Sequence, residues 1–206
     1  MEGGPLDYLV LDYLAEVTMS ILRKLRDRDP SAGYARDFVQ LMERIWPTCA
    51  RKGIRVVANA GGVNPSGCAD ALLEVGRRAG LTGKARVGLV RGDDLMDCLD
   101  RLLAEGHALA NLDTGAPLET IRDRARSANA YLGAAPVVQA LAQGADVVVT
   151  GRVADPALAA APLAHEFGWS LSDVDRMAAA QERAKAYPVR AGVCAPCANC
   201  RDAPGE

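Results

Sequence analysis

The run Val147-Val148-Val149-Thr150 limits the fold of this chain more than any other feature. Its four β-branched residues favour extended backbone, and an apolar run with no polar alternation marks a strand covered on both faces. Gly144-Ala145-Asp146 precedes it and Gly151-Arg152-Val153-Ala154-Asp155-Pro156 follows, turning the chain into an alanine-rich helix that ends near Phe167-Gly168-Trp169. The same order occurs twice earlier. Residues 54–58 lead into Asn59-Ala60-Gly61-Gly62-Val63-Asn64-Pro65 and a helix carrying Ala69, Leu72, Leu73 and Val75, with Ser66 as its expected cap. Residues 85–90 lead into Arg91-Gly92-Asp93-Asp94 and a helix over 95–103. Successive strand–loop–helix units predict right-handed βαβ crossovers on a parallel sheet.

The remaining segments fit that scheme. Residues 7–16 read as a short buried strand running into a helix over 17–25, which Pro30 terminates. Phe38, Leu41, Met42, Ile45 and Trp46 recur at helical spacing and predict a second helix with one apolar stripe. A helix over 136–141 opens on Pro136, residues 107–111 are expected to form a further strand, and 173–186 a polar helix. The expected fold class is α/β, a mostly parallel Rossmann-like sheet flanked by helices. The expected domain spans residues 1–170, followed over 171–206 by a divergent helix and a poorly ordered tail rich in Cys, Pro and Gly.

Composition narrows the partners. Twenty-four basic residues against 26 acidic ones give a net charge of -2, which supplies no concentrated basic surface for nucleic acid. No apolar run approaches the roughly 20 residues that cross a bilayer, and no basic-then-apolar leader opens the chain. The expectation is a cytoplasmic protein that binds neither nucleic acid nor membrane. Cys49, Cys68 and Cys98 are scattered, while Cys194, Cys197 and Cys200 crowd the end, which is not the pattern of a disulfide scaffold. Cys-x-x-Cys-x-x-Cys spacing suits a metal or cluster, but a complete site needs a fourth ligand and no cysteine follows. No metal or cofactor is expected, and neither a G-x-G-x-x-G fingerprint after a strand nor a phosphate loop occurs.

The functional signal lies where strands end. In open α/β sheets ligands bind beyond the carboxyl ends of strands, where glycine lets them approach the backbone. Those positions hold Asn59, Gly61, Gly62 and Asn64; then Gly92, Asp93 and Asp94; then Gly151, Arg152 and Asp155. Each has a structural reading too: Gly61-Gly62 suits a tight turn, Asp93 and Asp94 suit a helix cap, and Arg152 with Asp155 suits a local ion pair. Of the two histidines, His107 sits among aliphatic residues and reads as structural, whereas His165, beside Glu166, is a candidate general base.

Several blocks together resemble a known family. Residues 7–19 (DYLVLDYLAEVTM), 33–38, 59–65, 92–94, 127–134 (SANAYLGA) and 144–155 (GADVVVTGRVAD) look like the N-terminal domain of the acyclic terpene utilisation (AtuA) family, in order across roughly residues 6–169. The resemblance implies an α/β domain linked to breakdown of acyclic terpenes through coenzyme A thioesters. Family members usually begin with a further strand and a glycine-rich loop ahead of the Asp-Tyr-Leu block, and continue beyond Trp169. The resemblance therefore implies a chain truncated at both ends, with an incomplete sheet and an exposed edge.

On this basis Asn59, Gly61, Gly62, Asn64, Asn129, Tyr131, Gly151 and Arg152 are the expected ligand-binding residues, and Asp93, Asp155 and His165 the expected proton-transfer groups. The expected ligand is a CoA-linked isoprenoid acid. The alternative is a non-catalytic subunit, as a homo-oligomer or assembled with other enzymes of the pathway, since the chain offers two histidines and no nucleophile motif.

Overall fold

A computed structural model describes residues 6–186, with side chains through residue 180. The chain is α/β. Four parallel strands, β1 (Tyr8–Leu11), β2 (Arg55–Ala58), β3 (Val87–Val90) and β4 (Val147–Thr150), form one sheet in the order β1-β2-β4-β3. Seven α-helices occupy the described residues: α1 (Glu16–Arg28), α2 (Arg36–Lys52), α3 (Pro65–Arg78), α4 (Leu99–Ala104), α5 (Ala135–Ala142), α6 (Asp155–Glu166) and α7 (Val174–Ala186). β4 enters last and lies between β2 and β3, in register Val56↔Val147 on one side and Val87↔Val147 on the other. That central position explains its unbroken apolar character: every β4 residue is buried.

Side chains alternate across the pleat, so each strand feeds two cores. Leu9, Leu11, Val56, Ala58, Val147 and Val149 pack with Phe38, Met42 and Trp46 of α2 and Leu72 and Val75 of α3. Val57, Val148 and Val90 face the other way, onto Val137 and Leu141 of α5 and Ala157, Leu158 and Ala161 of α6. Alanine in α6 lets that helix lie close to the sheet. A third, small cluster of Leu14, Met19, Leu22 and Val63 seats α1.

Local structure completes the sequence reading at one place and departs from it at three. α2 continues through Pro47 to Lys52 and ends at Gly53 in the left-handed region (φ 70°). Burial of Trp46 and Cys49 offsets the hydrogen bond that proline removes. Asn64, not Ser66, caps α3: its Oδ1 accepts from Gly67 N at 3.0 Å, with Pro65 as the first helical residue. No strand forms over 107–111, where the chain is exposed and Asn111 organises a turn by accepting from the amides of Asp113 and Thr114. Consequently His107 lies at the surface, not among aliphatic side chains, its Nε2 4.0 Å from Glu105. α7 lies on α6, with Ala180 buried and Met177 against the second core. Cys194, Cys197 and Cys200 lie outside the described residues.

Candidate functional site

The carboxyl ends of all four strands carry polar side chains that bond to one another or to the backbone of a neighbouring strand end. After β1, Asp12 Oδ1 accepts from Asn59 Nδ2 at 2.6 Å and from Leu14 N at 3.2 Å. Asn59, fully buried just past β2, also accepts from Tyr13 N at 2.6 Å. Both ends of the amide are thereby used, and the β1–α1 connection is tied to β2. A buried amide pays for its burial only when its partners are present, and here they are.

After β3, Asp93 is 3% exposed, and its Oδ2 accepts from Arg152 N at 2.8 Å and Asn129 Nδ2 at 3.0 Å. The residues around Asn129 thread past the strand ends. Leu95 N donates to Ala128 O, Ala130 N to Asp93 O, Leu132 N to Arg152 O, and Ala154 N to Leu132 O. An isolated antiparallel bridge pairs Asp94 with Asn129, and a parallel one pairs Leu132 with Val153. This strap holds Tyr131 over Arg152.

Arg152 follows β4 and is 4% exposed. Its Nη1 donates to Leu14 O and lies 3.4 Å from Asp155 Oδ1; its Nη2 lies 3.6 Å from Glu16 Oε1; its guanidinium sits 4.3 Å from the centre of the Tyr131 ring. Tyr131 OH in turn donates to Glu16 Oε1. These bonds hold the Glu16 carboxyl below its usual range, the Tyr131 hydroxyl contributing most and Arg152 adding to it. Asp155 is shifted the other way: partial burial, then the nearby Asp12 carboxylate, raise its pKa against the opposing pull of Arg152. The two carboxyls beside this buried cation are thus shifted in opposite directions, Glu16 down and Asp155 up.

The glycines serve the chain itself. Gly61 N donates to Thr150 O at 3.0 Å, and a Cβ at Gly61 would come 2.6 Å from that oxygen; Gly62 (φ 53°) would press on Gly33 O at 2.6 Å. Gly151 abuts the Asp93 carboxylate, whose Cγ lies 2.6 Å from where a Cβ would stand. These residues let the strand ends close on one another. Asn64 likewise is committed to capping α3 and to Ala32 O at 2.9 Å.

The structure thus brings Asn59, Asp93, Asn129, Tyr131, Gly151, Arg152 and Asp155 into one network, with Gly61, Gly62 and Asn64 beside it. It does not bring His165 there. His165 lies at the opposite, amino end of the strands, where its Nε2 is 2.9 Å from Arg55 Nη1 at the start of β2. A guanidinium only donates, so Nε2 accepts. Tyr8 OH and Glu166 complete that cluster, 2.5 Å apart.

Sequence reasoning passed over Asp12 and Glu16. The signal for Asp12 is present in the sequence, since it follows a strand directly, as Asn59 does and Asp93 and Arg152 nearly do, but residues 7–16 read as one run from strand into helix.

Two grooves flank the network. One, of about 520 Å³, lies between α1 and residues 32–37 and is lined by Tyr13, Leu14, Leu22 and Leu25 together with the charged Asp12, Arg36 and Asp37. The other, of about 730 Å³, is lined by Asn64, Ser66, Arg91, Gly92, Asp93 and Asp94, among others. Both lie within the range of roughly 300–1,000 Å³ usual for small-molecule sites. Among the described residues no cluster of His, Cys, Asp or Glu is placed to hold a metal, and no helix is long and apolar enough to cross a membrane.

A parallel sheet flanked by helices, with polar side chains gathered at the carboxyl ends of its strands, defines the class of open α/β domains. Within that class, the chain belongs to the acyclic terpene utilisation family, AtuA, which it matches over residues 1–184. Membership supports a role in acyclic terpene utilisation. Comparison with curated proteins and with solved structures returned no match.

Proposed function

We propose that this domain binds an acyclic isoprenoid acid, free or as its coenzyme A thioester, at the carboxyl end of the sheet, and that Asp155 exchanges a proton with it. One observation carries this reading: a groove walled by Leu14, Leu22 and Leu25 also takes in Asp12, Arg36 and Asp37, and Asp12 is bonded to Asn59 of the polar network and helps to raise the pKa of Asp155. A branched hydrocarbon chain suits the groove, and its oxidised end then reaches the polar network. Asn59 fixes Asp12, and Asp93 with Asn129 fixes the backbone of Arg152, so the polar groups are held in place before a ligand arrives.

Titration calorimetry with geranyl-CoA and with geranate, against free coenzyme A as control, tests the reading. Saturable binding of either isoprenoid is expected. Leu25 is 44% exposed, so Leu25→Glu is tolerated by the fold, and it should weaken binding by about tenfold or more, because it sets a charge in the apolar wall. Absence of binding by both isoprenoids would remove the proposal.

A further inference from the structure

The Arg152 guanidinium donates to the backbone oxygen of Leu14 and lies over the Tyr131 ring, but no carboxylate holds it closely. Its carboxylate partners stand at 3.4 Å (Asp155) and 3.6 Å (Glu16), beyond the roughly 2.7–2.9 Å of a charge-assisted hydrogen bond. A planar guanidinium is matched best by a carboxylate that meets two of its N–H groups side by side. The two acids do not do this; they approach Nη1 and Nη2 separately.

They also differ in how firmly they are held. Asp155 begins α6 and belongs to its first turn. The Glu16 side chain is 78% exposed, at the first residue of α1, and α1 rests on the body through the small cluster of Met19 and Leu22 with Leu14 and Val63. Its outer residues Val17 and Ile21 face solvent. Glu16 therefore covers Arg152 from outside, with Tyr131 bonded to it, and Ala15, its neighbour in the chain, lines the groove.

We infer that Glu16 is an internal substitute for the ligand's carboxylate: it occupies the anion position on Arg152, and an ionised isoprenoid acid lying in the groove displaces it. The inference rests on the binding reading above and narrows its ligand to the free carboxylate. Glu16 is largely exposed and lies 3.6 Å from Arg152, so its displacement gives up chiefly its bond from Tyr131, while the entering carboxylate meets Nη1 and Nη2 together. Glu16 is then a specificity-determining residue. It admits ligands whose own negative charge repays its removal and disfavours neutral ones of the same shape.

The test compares the full chain with Glu16→Gln, a nearly isosteric change at an exposed position that removes the charge and keeps a partner for Tyr131. Calorimetry uses geranate and the matching alcohol, geraniol. Glu16→Gln should bind geranate about fivefold more tightly than the unaltered chain, with geraniol affinity unchanged. Equal geranate affinity in the two proteins would overturn the inference and leave the binding reading standing. A parallel gain for acid and alcohol would also overturn it, since that marks a loosened α1 and not a vacated charge site. If neither protein binds either compound, the inference falls, and the binding reading stands only if geranyl-CoA binds.

Discussion

Asp155 shows how one residue's surroundings set its chemistry. Partial burial and the Asp12 carboxylate both oppose its ionisation, and Arg152 only partly compensates. The folded chain therefore holds the Asp155 proton more tightly than the unfolded chain does. Its stabilising contribution is complete below the ordinary aspartate value of 3.8 and is lost as pH rises through the raised folded value. In thermal unfolding measured across the acid range, the unaltered chain should lose stability relative to Asp155→Asn as pH rises through that window. Parallel profiles for the two proteins would show that Asp155 carries no such shift. The side chain is 54% exposed, so water screens part of the effect, and the direction of the slope is the signature. At the same scale, Asp93 shows why a buried acid need not be a reacting group. Its Oδ2 is already spent on an amide and an Asn side chain.

At the scale of elements, the loops after the strands do two jobs, and the side chains separate them. Asn64 ends its loop as a helix cap, accepting from Gly67 N and donating to Ala32 O. Asn64→Ala should cost about 1 kcal/mol for the lost cap, with a further loss of similar size for the severed link to the loop before α2, read from urea unfolding. Geranate affinity should stay within error of the unaltered protein. A large drop in affinity with unchanged stability would instead place Asn64 on the ligand. The strap through Asn129 and Tyr131 has a different character: it has no periodicity of its own and is held by hydrogen bonds to the residues after β3 and β4.

For the whole molecule, the two sides of the sheet carry half-buried phenols whose ionisation the fold resists. Tyr13 lies edge-on to Phe38, and its pKa is raised from 10.0 to about 12, chiefly by burial. Tyr8, at the amino end, is also pushed up to about 12, by burial and by its bond to Glu166. Both phenols favour the neutral form when folded, so the stability they lend is complete below pH 10 and is lost as pH rises through about 12. Tyrosinate absorbance should accordingly show two of the chain's five tyrosines ionising late, together with loss of helical circular dichroism. Ionisation of all five in one step near pH 10, with the helices intact, would contradict the burial described for these two.

The strands of the three strand–loop–helix units were legible in the chain because their cause is local. Val147 to Thr150, and the β-branched residues of 54–58, prefer extended backbone wherever they stand, and glycine with a polar cap ends them in any context. Apolar periodicity likewise announced α1, α2 and α3. What tertiary structure alone decided is which strand lies beside which, and hence which loop ends meet. Placing β4 between β2 and β3 brings Arg152 to Asp93 across 59 residues and to Leu14 across 138, and no short-range preference encodes such distances. His165 illustrates the same point from the other side. Its neighbours in sequence made it a candidate for the site, but α6 runs antiparallel to the sheet's strands and carries it to their far end, because helix length and direction, not residue type, fix where a side chain arrives.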